Sequence, residues 1–272
     1  MTTTIVDGLR AHLVTHHGDG TPLRREERVI EETPIALLYN GRSFAVMMAT
    51  PCDLADFALG FALSEGIVGS PAEFELVDIV RAENGIALHA AIPQSRFEAL
   101  DSRQRTLEGR SGCGLCGISH LEAALRPHPV AADGPHVPAS RIREGLDLLA
   151  RHQPLNARSG GVHAAGFVHG DGKTMEILVR EDVGRHNALD KLVGAMRRCE
   201  PAIDPHGGFL TITSRASYEI VHKAACVGIS IVVAISAPTS LAIRCARDAD
   251  LTLIGFARDG RMNVYHGDDR IR

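Results

Sequence analysis

Hydrophobic and polar positions along this chain divide it into three stretches of different rhythm. Residues 1–28 are polar, rich in His, Arg and Gly, and show no sustained period, so they are expected to be flexible. Alternation begins at Ile35–Tyr39 and resumes at Ser43–Met48 after Asn40-Gly41. Asn-Gly supplies the positive φ values of a type I′ turn, so this stretch predicts a β-hairpin. A helical period follows, with Leu54, Phe57, Ala58, Phe61 and Ala62 on one face, Asp53 as the N-cap and Gly66 as terminator. A second hairpin is predicted over 74–82 and 86–92 around Asn84-Gly85, and Pro93 opens a polar helix to about 106. Residues 29–110 therefore read as a small α+β domain.

From Pro138 the rhythm changes. A helix at 139–152 leads to a hairpin of 164–169 and 174–180, turning at 170–172. Helix 185–198, strand 208–213, helix 215–227 ended by Gly228, strand 229–235, helix 239–248 and strand 251–256 follow. Alternating strands and helices joined by short loops imply a partly parallel sheet covered by helices. Ile231-Val232-Val233-Ala234-Ile235 is apolar on both faces, as a central strand should be. The fold class is α/β, with a smaller α+β domain before it. Between the two, residues 111–137 carry prolines at 127, 129 and 135 and read as a loop and linker, with a short helix at 119–125.

That junction holds Gly112-Cys113-Gly114-Leu115-Cys116-Gly117. Glycines around two cysteines suit an exposed thiol loop. Only about 3% of an ordinary thiol is ionised at neutral pH, so the loop needs help from Arg110 or the helix after it. Two other readings compete. A structural zinc half-site with His120 lacks a second Cys/His pair, and a dithiol oxidoreductase normally has a β-strand before its CxxC. The remaining cysteines, 52, 199, 226 and 245, are isolated, and those within apolar helical patterns read as small buried hydrophobes.

Four polar turns carry the other candidate chemistry. Ser159–Ala165 puts paired glycines before His163. Arg180-Glu181-Asp182-Val183-Gly184-Arg185-His186-Asn187 is a strand-to-helix turn, where Arg180 and Arg185 could hold phosphate and Asp182 could accept from a base or sugar. Thr213-Ser214-Arg215-Ala216-Ser217 and Ser236–Ser240 are two more such turns. Loops at the carboxyl ends of strands line the crevice of an open α/β sheet, so an anionic, nucleotide-like ligand is expected there. Phe256-Ala257-Arg258-Asp259-Gly260-Arg261 adds two arginines after the last long strand.

Composition narrows the partners. Twenty-nine Lys and Arg against 33 Asp and Glu give a net charge of −4, which argues against nucleic acid. No apolar run is long enough for a membrane span or signal core, so a cytoplasmic protein is expected.

In this order the motifs resemble the FdhD family, sulfur carriers required for formate dehydrogenase activity. The resemblance rests on Asn40-Gly41, Ala49-Thr50-Pro51, Gly60-Phe61, Ser64-Glu65-Gly66, Cys113–Gly117, Gly160–Ala165, Glu181–Lys191, Thr213–Glu219, Ser236–Thr239 and Gly255–Arg261 with Val264-Tyr265, and covers roughly residues 30–266. It implies a cytidine-deaminase-like α/β/α C-terminal domain and a homodimer. It also implies that a cysteine desulfurase loads persulfide sulfur onto Cys113, with Cys116 as its partner. The acceptor would be the molybdenum (or tungsten) bis(molybdopterin guanine dinucleotide) cofactor, a bound substrate of which a guanine nucleotide is a partial mimic. The cofactor is destined for the formate dehydrogenase catalytic subunit. Phe256–Arg261 would bind it, and no catalytic metal of the chain's own is implied. A zinc deaminase activity does not follow, because His163 is followed by Ala164-Ala165 rather than the required His-x-Glu. A cofactor chaperone that makes no use of its thiols remains the other reading.

Overall fold

The computed structural model describes residues 8–100, 134–170 and 174–272. The first predicted hairpin is present as β3 (Thr33–Tyr39) and β4 (Arg42–Ala49), preceded by β1 (Leu9–His16) and β2 (Leu23–Ile30). Positive φ at both Asn40 (48°) and Gly41 (81°) gives the expected type I′ turn. Strands β5 (Glu75–Ala82) and β6 (Gly85–Ala91) complete a four-stranded sheet of order β4-β3-β6-β5, in which β3 and β6 run parallel. A helix starts at Gln94, as Pro93 predicts.

Helix α1 (Leu54–Ser64) is buried along nearly its whole length. Its start differs from expectation. Asp53 has left-handed backbone (φ 51°) and its side chain makes no cap bond; it lies 3.8 Å from Arg180 instead. Gly66 (φ 64°) follows the helix end as expected.

The second half begins with α2 (Ala139–Arg151) and α3 (Pro154–Ser159). Then come β7 (His163–His169), β8 (Glu176–Asp182), α4 (Arg185–Arg198), β9 (Gly208–Ile212), α5 (Tyr218–Cys226), β10 (Ile231–Ala234), α6 (Ser240–Asp248), β11 (Thr252–Arg258) and β12 (Arg261–His266). The six strands from β7 onward form one sheet in the order β12-β11-β10-β9-β7-β8, with only β9, β10 and β11 mutually parallel. Every residue of β10 is buried, because helices cover both faces. Leu189 and Leu192 of α4, Ile220 and Ala224 of α5, and Ala242 and Ala246 of α6 pack on one face. Ile142 of α2 packs on the other, against Val168, Phe209, Ile231 and Ile254. Helix α3 and strand β12 were not foreseen. The first is too short to show a period, and the second alternates only weakly.

Two corrections concern the ends of the first half. Residues 1–28 were expected to be flexible, yet β1 and β2 pair in unbroken antiparallel register from Leu9↔Ile30 to His16↔Leu23. Both faces of this ribbon are largely exposed, so no buried face imposes the apolar alternation that marks a strand. It is anchored instead by buried Leu9 and by the Arg10–Glu31 ion pair at 2.7 Å. The second correction is that the two sheets share one continuous apolar core, in which α1 lies on α4.

That helix contact depends on two glycines. A Cβ on Gly60 would sit 1.7 Å from the Asp190 carbonyl oxygen, and one on Gly194 would sit 1.9 Å from that of Asp56. Alanine normally stabilises a helix interior over glycine by about 1 kcal/mol. Here the backbone collision outweighs that gain, and Gly194→Ala is expected to destabilise the fold by about 3 kcal/mol in urea unfolding. A neutral or stabilising result would mean that the helices separate at little cost.

Candidate functional site

Sheet topology brings the predicted polar turns to one edge. The carboxyl ends of β9, β10 and β11 point the same way, because these strands are parallel. Strand β7 is antiparallel to β9, so its first residue, His163, lies at this edge, and so does Asp182 at the end of β8. Short bonds stitch the turns together. Thr213 and Ala164 exchange bonds, with Thr213 N donating to Ala164 O at 3.1 Å and Ala164 N donating to Thr213 Oγ1 at 2.9 Å. Thr239 N donates to Ala216 O (3.0 Å), and Phe256 N donates to Ser236 O (3.1 Å).

Helices α4, α5 and α6 all begin at this edge. Thr239 caps α6 by accepting from Ala242 N (3.1 Å). The N-cap side chains of α4 and α5 make no cap bond, and in the first turn of α5 the Glu219 carboxylate accepts from its own N–H. At α4 the N-cap is Gly184, where a Cβ would meet Asn187 Nδ2 at 2.7 Å, so the turn has no room for a capping side chain. Uncapped first-turn N–H groups favour anions.

The arginines reinforce that preference. Asp259 (φ 53°) and Gly260 (φ 72°) form a two-residue turn with positive φ at both positions. Arg258 and Arg261 are therefore direct cross-strand partners, both exposed. Like charges placed opposite one another repel, unless an anion sits between them. Among the described residues, Arg185, Arg215, Arg258 and Arg261 form no ion pair with a carboxylate. The Nε of Arg185 is buried with no hydrogen-bond partner. Phe256 has φ 51°, a conformation uncommon for a bulky residue, and remains 39% exposed at the bulge in β11.

The two histidines at this edge are held neutral. His186 is pushed down to about 4 by burial and by the Arg185 charge, against the opposing pull of Glu219. Its Nε2 lies 3.2 Å from Ser217 Oγ and 3.5 Å from Glu219 Oε2. His163 is lowered by the same two causes, burial first.

Several predicted ligand contacts turn out to be internal. Asp182 is fully buried, and four donors surround its carboxylate: Gly184 N (2.8 Å), Asn187 Nδ2 (3.0 Å), Thr50 N (2.9 Å) and Lys191 Nζ (2.7 Å). It has no lone pair left for a base or sugar. Arg180 cannot hold phosphate, because Asp56 engages it at 2.8 Å. Glu181 receives the N–H groups of Leu155 and Asn156 at 2.8 Å each, and so holds the start of α3. Ala257 points into the core, and buried Ser214 donates to Arg215 O at 3.1 Å. These residues shape the turns from beneath. Cys113, Cys116, Arg110 and His120 lie outside the described residues.

Sequence reasoning missed the support under the edge. Lys191 is completely buried and also donates to Thr50 O at 2.9 Å. Lys223, likewise buried, joins Asp190 (2.9 Å), Glu65 (2.8 Å) and Ser64 (3.0 Å). A lysine in an amphipathic helix ordinarily reads as solvent-facing. Of the two cysteines in apolar helical patterns expected as small buried hydrophobes, Cys245 is buried and Cys226 only half-buried. Burial pushes its thiol up to about 12, and that of Cys52 up to about 11, so neither is a ready nucleophile.

Known proteins share both this sequence and this architecture. The profile of the FdhD/NarQ family matches residues 30–272. The chain belongs to that family. A sulfur carrier protein FdhD from Xanthomonas campestris pv. campestris (strain B100) is 48% identical over 269 residues, covering 99% of this chain and 94% of the relative. Its counterpart from Bordetella petrii is 46% identical over 248 residues, covering 91% and 88%. Among solved structures, a formate dehydrogenase accessory protein from Desulfotalea psychrophila superposes with a TM-score of 0.71 at 23% identity, over 97% of this chain and 99% of that one. The α/β class expected from the sequence is thus the architecture of a solved structure. Among the described residues no helix is long and apolar enough to cross a membrane.

Proposed function

We propose that this chain is a sulfur carrier for formate dehydrogenase maturation. It takes sulfane sulfur from a cysteine desulfurase and delivers it to molybdenum or tungsten bis(molybdopterin guanine dinucleotide), bound as substrate at the carboxyl edge of the six-stranded sheet. The names of its relatives supply the sulfur-carrier role, and the cross-strand pair Arg258 and Arg261 supplies the strongest support for the cofactor's place. Two arginines held opposite each other across β11 and β12, beside helix starts whose N-cap side chains make no cap bond and beside Arg185 and Arg215, which have no carboxylate partner among the described residues, suit phosphate oxygens. Neutral His163 and His186 add hydrogen bonds without adding charge. Exposed Phe256 offers a face for a planar base.

The transfer balances without an outside oxidant. The Cys113 thiolate attacks the outer sulfur of the desulfurase persulfide; a new S–S bond forms and the desulfurase thiolate leaves. The Cys116 thiolate then attacks the Cys113 sulfur. This releases hydrosulfide for the acceptor and leaves a Cys113–Cys116 disulfide. The two thiols supply the two electrons, and an external dithiol resets the pair. A homodimer serving the formate dehydrogenase catalytic subunit completes the proposal.

Titration with GDP, a partial mimic of the cofactor, tests the placement. Replacing both arginines in Arg258→Glu/Arg261→Glu removes two charge-assisted contacts, each contributing about 1.5–3 kcal/mol, so GDP affinity should fall at least about 100-fold. Unchanged affinity would place the cofactor elsewhere on the chain.

A further inference from the structure

At the opposite end of the molecule lies a cleft of about 430 Å³ that the sulfur-transfer reading does not use. Helices α4 and α5 both end there, at the amino ends of β9 and β10. The loop after α1 and the helix that starts at Gln94 close its other side. Leu63, Val68, Pro71 and Val227 make an apolar wall, while Arg96 and Arg197 supply the charge. The volume falls in the usual range for small-molecule sites.

Among the described residues lining this cleft, the charged side chains are Arg96 and Arg197, and none is acidic. Glu73 lies behind Arg96, 3.1 Å from its Nη2, and also accepts from Gly69 N at 2.6 Å, so its carboxylate is occupied. Arg197 has no hydrogen-bond or ion-pair partner among the described residues. Glu73 offsets Arg96, and the C-terminal ends of α4 and α5 each offset about half a charge, so the cleft is near balance and Arg197 is the guanidinium left to meet an anion. Among the described lining residues an ammonium group would find no free carboxylate, and a bare inorganic anion would leave the apolar wall unused.

We propose that this cleft binds a small organic carboxylate, with its anionic end on Arg197 and its apolar body against Leu63, Val68 and Val227. The ligand would bridge the helix that starts at Gln94 to the far ends of α4 and α5, the helices whose first turns build the carboxyl edge. Arg96 fixes one wall: a Cβ on Gly69 would lie 2.7 Å from its Nη2, so the loop packs directly on that guanidinium.

Cys226 provides a reporter, because its thiol lines the cleft, 3.5 Å from His222 Nε2. The full-length protein is treated with a thiol reagent, and labelling of Cys226 is followed by peptide mass spectrometry against added hexanoate, hexylamine, hexanol or phosphate. Hexanoate should slow Cys226 labelling hyperbolically, by about tenfold once its concentration is ten times its Kd, following simple mass action. Cys199 is half-buried and does not line the cleft, so its labelling should not change. Arg197→Met should abolish the protection, and Arg197→Lys should keep part of it. GDP affinity should be the same in all three proteins, which separates this site from the carboxyl edge. The proposal fails if hexanoate gives no protection, if Arg197→Met is protected as well as wild type, or if hexylamine or hexanol protects equally. Protection by phosphate alone would mark an inorganic anion site and also overturn it.

Discussion

Cys113→Ala is expected to abolish sulfur loading and leave formate dehydrogenase immature, while GDP affinity stays at the wild-type value. The variant lacks the nucleophile of the first transfer and none of the arginines at the carboxyl edge. Incubated with a cysteine desulfurase and cysteine, wild type should gain about 32 Da, the mass of one sulfur, and lose it again with reductant. Cys113→Ala should show no gain. Cys116→Ala should load normally and then hold its persulfide, because the second attack that frees hydrosulfide is missing. If Cys113→Ala loads as well as wild type, the carrier is another thiol. Cys52 and Cys245 are poor substitutes, since burial holds both in the thiol form. If Cys113→Ala also loses GDP binding, the cysteine segment belongs to the cofactor site itself.

The second large effect lies in the core. Lys191→Met should destabilise the protein by about 3–5 kcal/mol, because it leaves the Asp182 carboxylate buried without its counter-charge. For a chain of this size, such a loss should lower Tm by about 10 °C. The functional consequence follows from the geometry. Asp182 holds the N–H of Gly184 and the amide of Asn187, and so sets the turn that presents Arg185 and His186. A loosened turn should weaken GDP binding at temperatures where the protein is still folded. In Lys191→Met/Asp182→Asn no buried charge is left without its partner, so stability should recover in part while GDP binding stays weak. Equal stability of Lys191→Met and wild type would show that water reaches Asp182 and replaces the lysine.

The same residues show how far the sequence could be read. Every predicted helix of the second half is present, and the 185–198 prediction coincides with α4. Their apolar periods were legible because each helix buries one face against a sheet. Asn40-Gly41 was legible because a two-residue hairpin turn needs positive φ at both positions. The β1–β2 ribbon was not, since both of its faces are mostly in water and its pairing rests on backbone bonds that leave no trace in side-chain pattern. The role of Asp182 was misread for a related reason. A polar residue in a polar turn looks the same whether it faces a ligand or a buried lysine nine residues later. The cleft around Arg197 drew no signal at all, because its lining comes from stretches far apart in the chain.

Local chemistry was therefore settled by the sequence: which segments coil or extend, where glycine permits a turn, and which turns are rich in arginine and hydroxyl groups. Short-range sterics and the burial period act within a few residues, so they are written in the order of the chain. Tertiary structure alone decided which of those polar groups face outward. Parallel pairing of β9, β10 and β11 carries the turns after those three strands to one edge, and antiparallel β7 and β8 bring His163 and the turn after Asp182 beside them. Close packing of α1 on α4 at Gly60 and Gly194 sinks Asp182, Lys191, Asp190 and Lys223 out of water. Burial and charge pairing join residues more than a hundred positions apart, such as Thr50 and Asp182, and no local pattern records such a meeting.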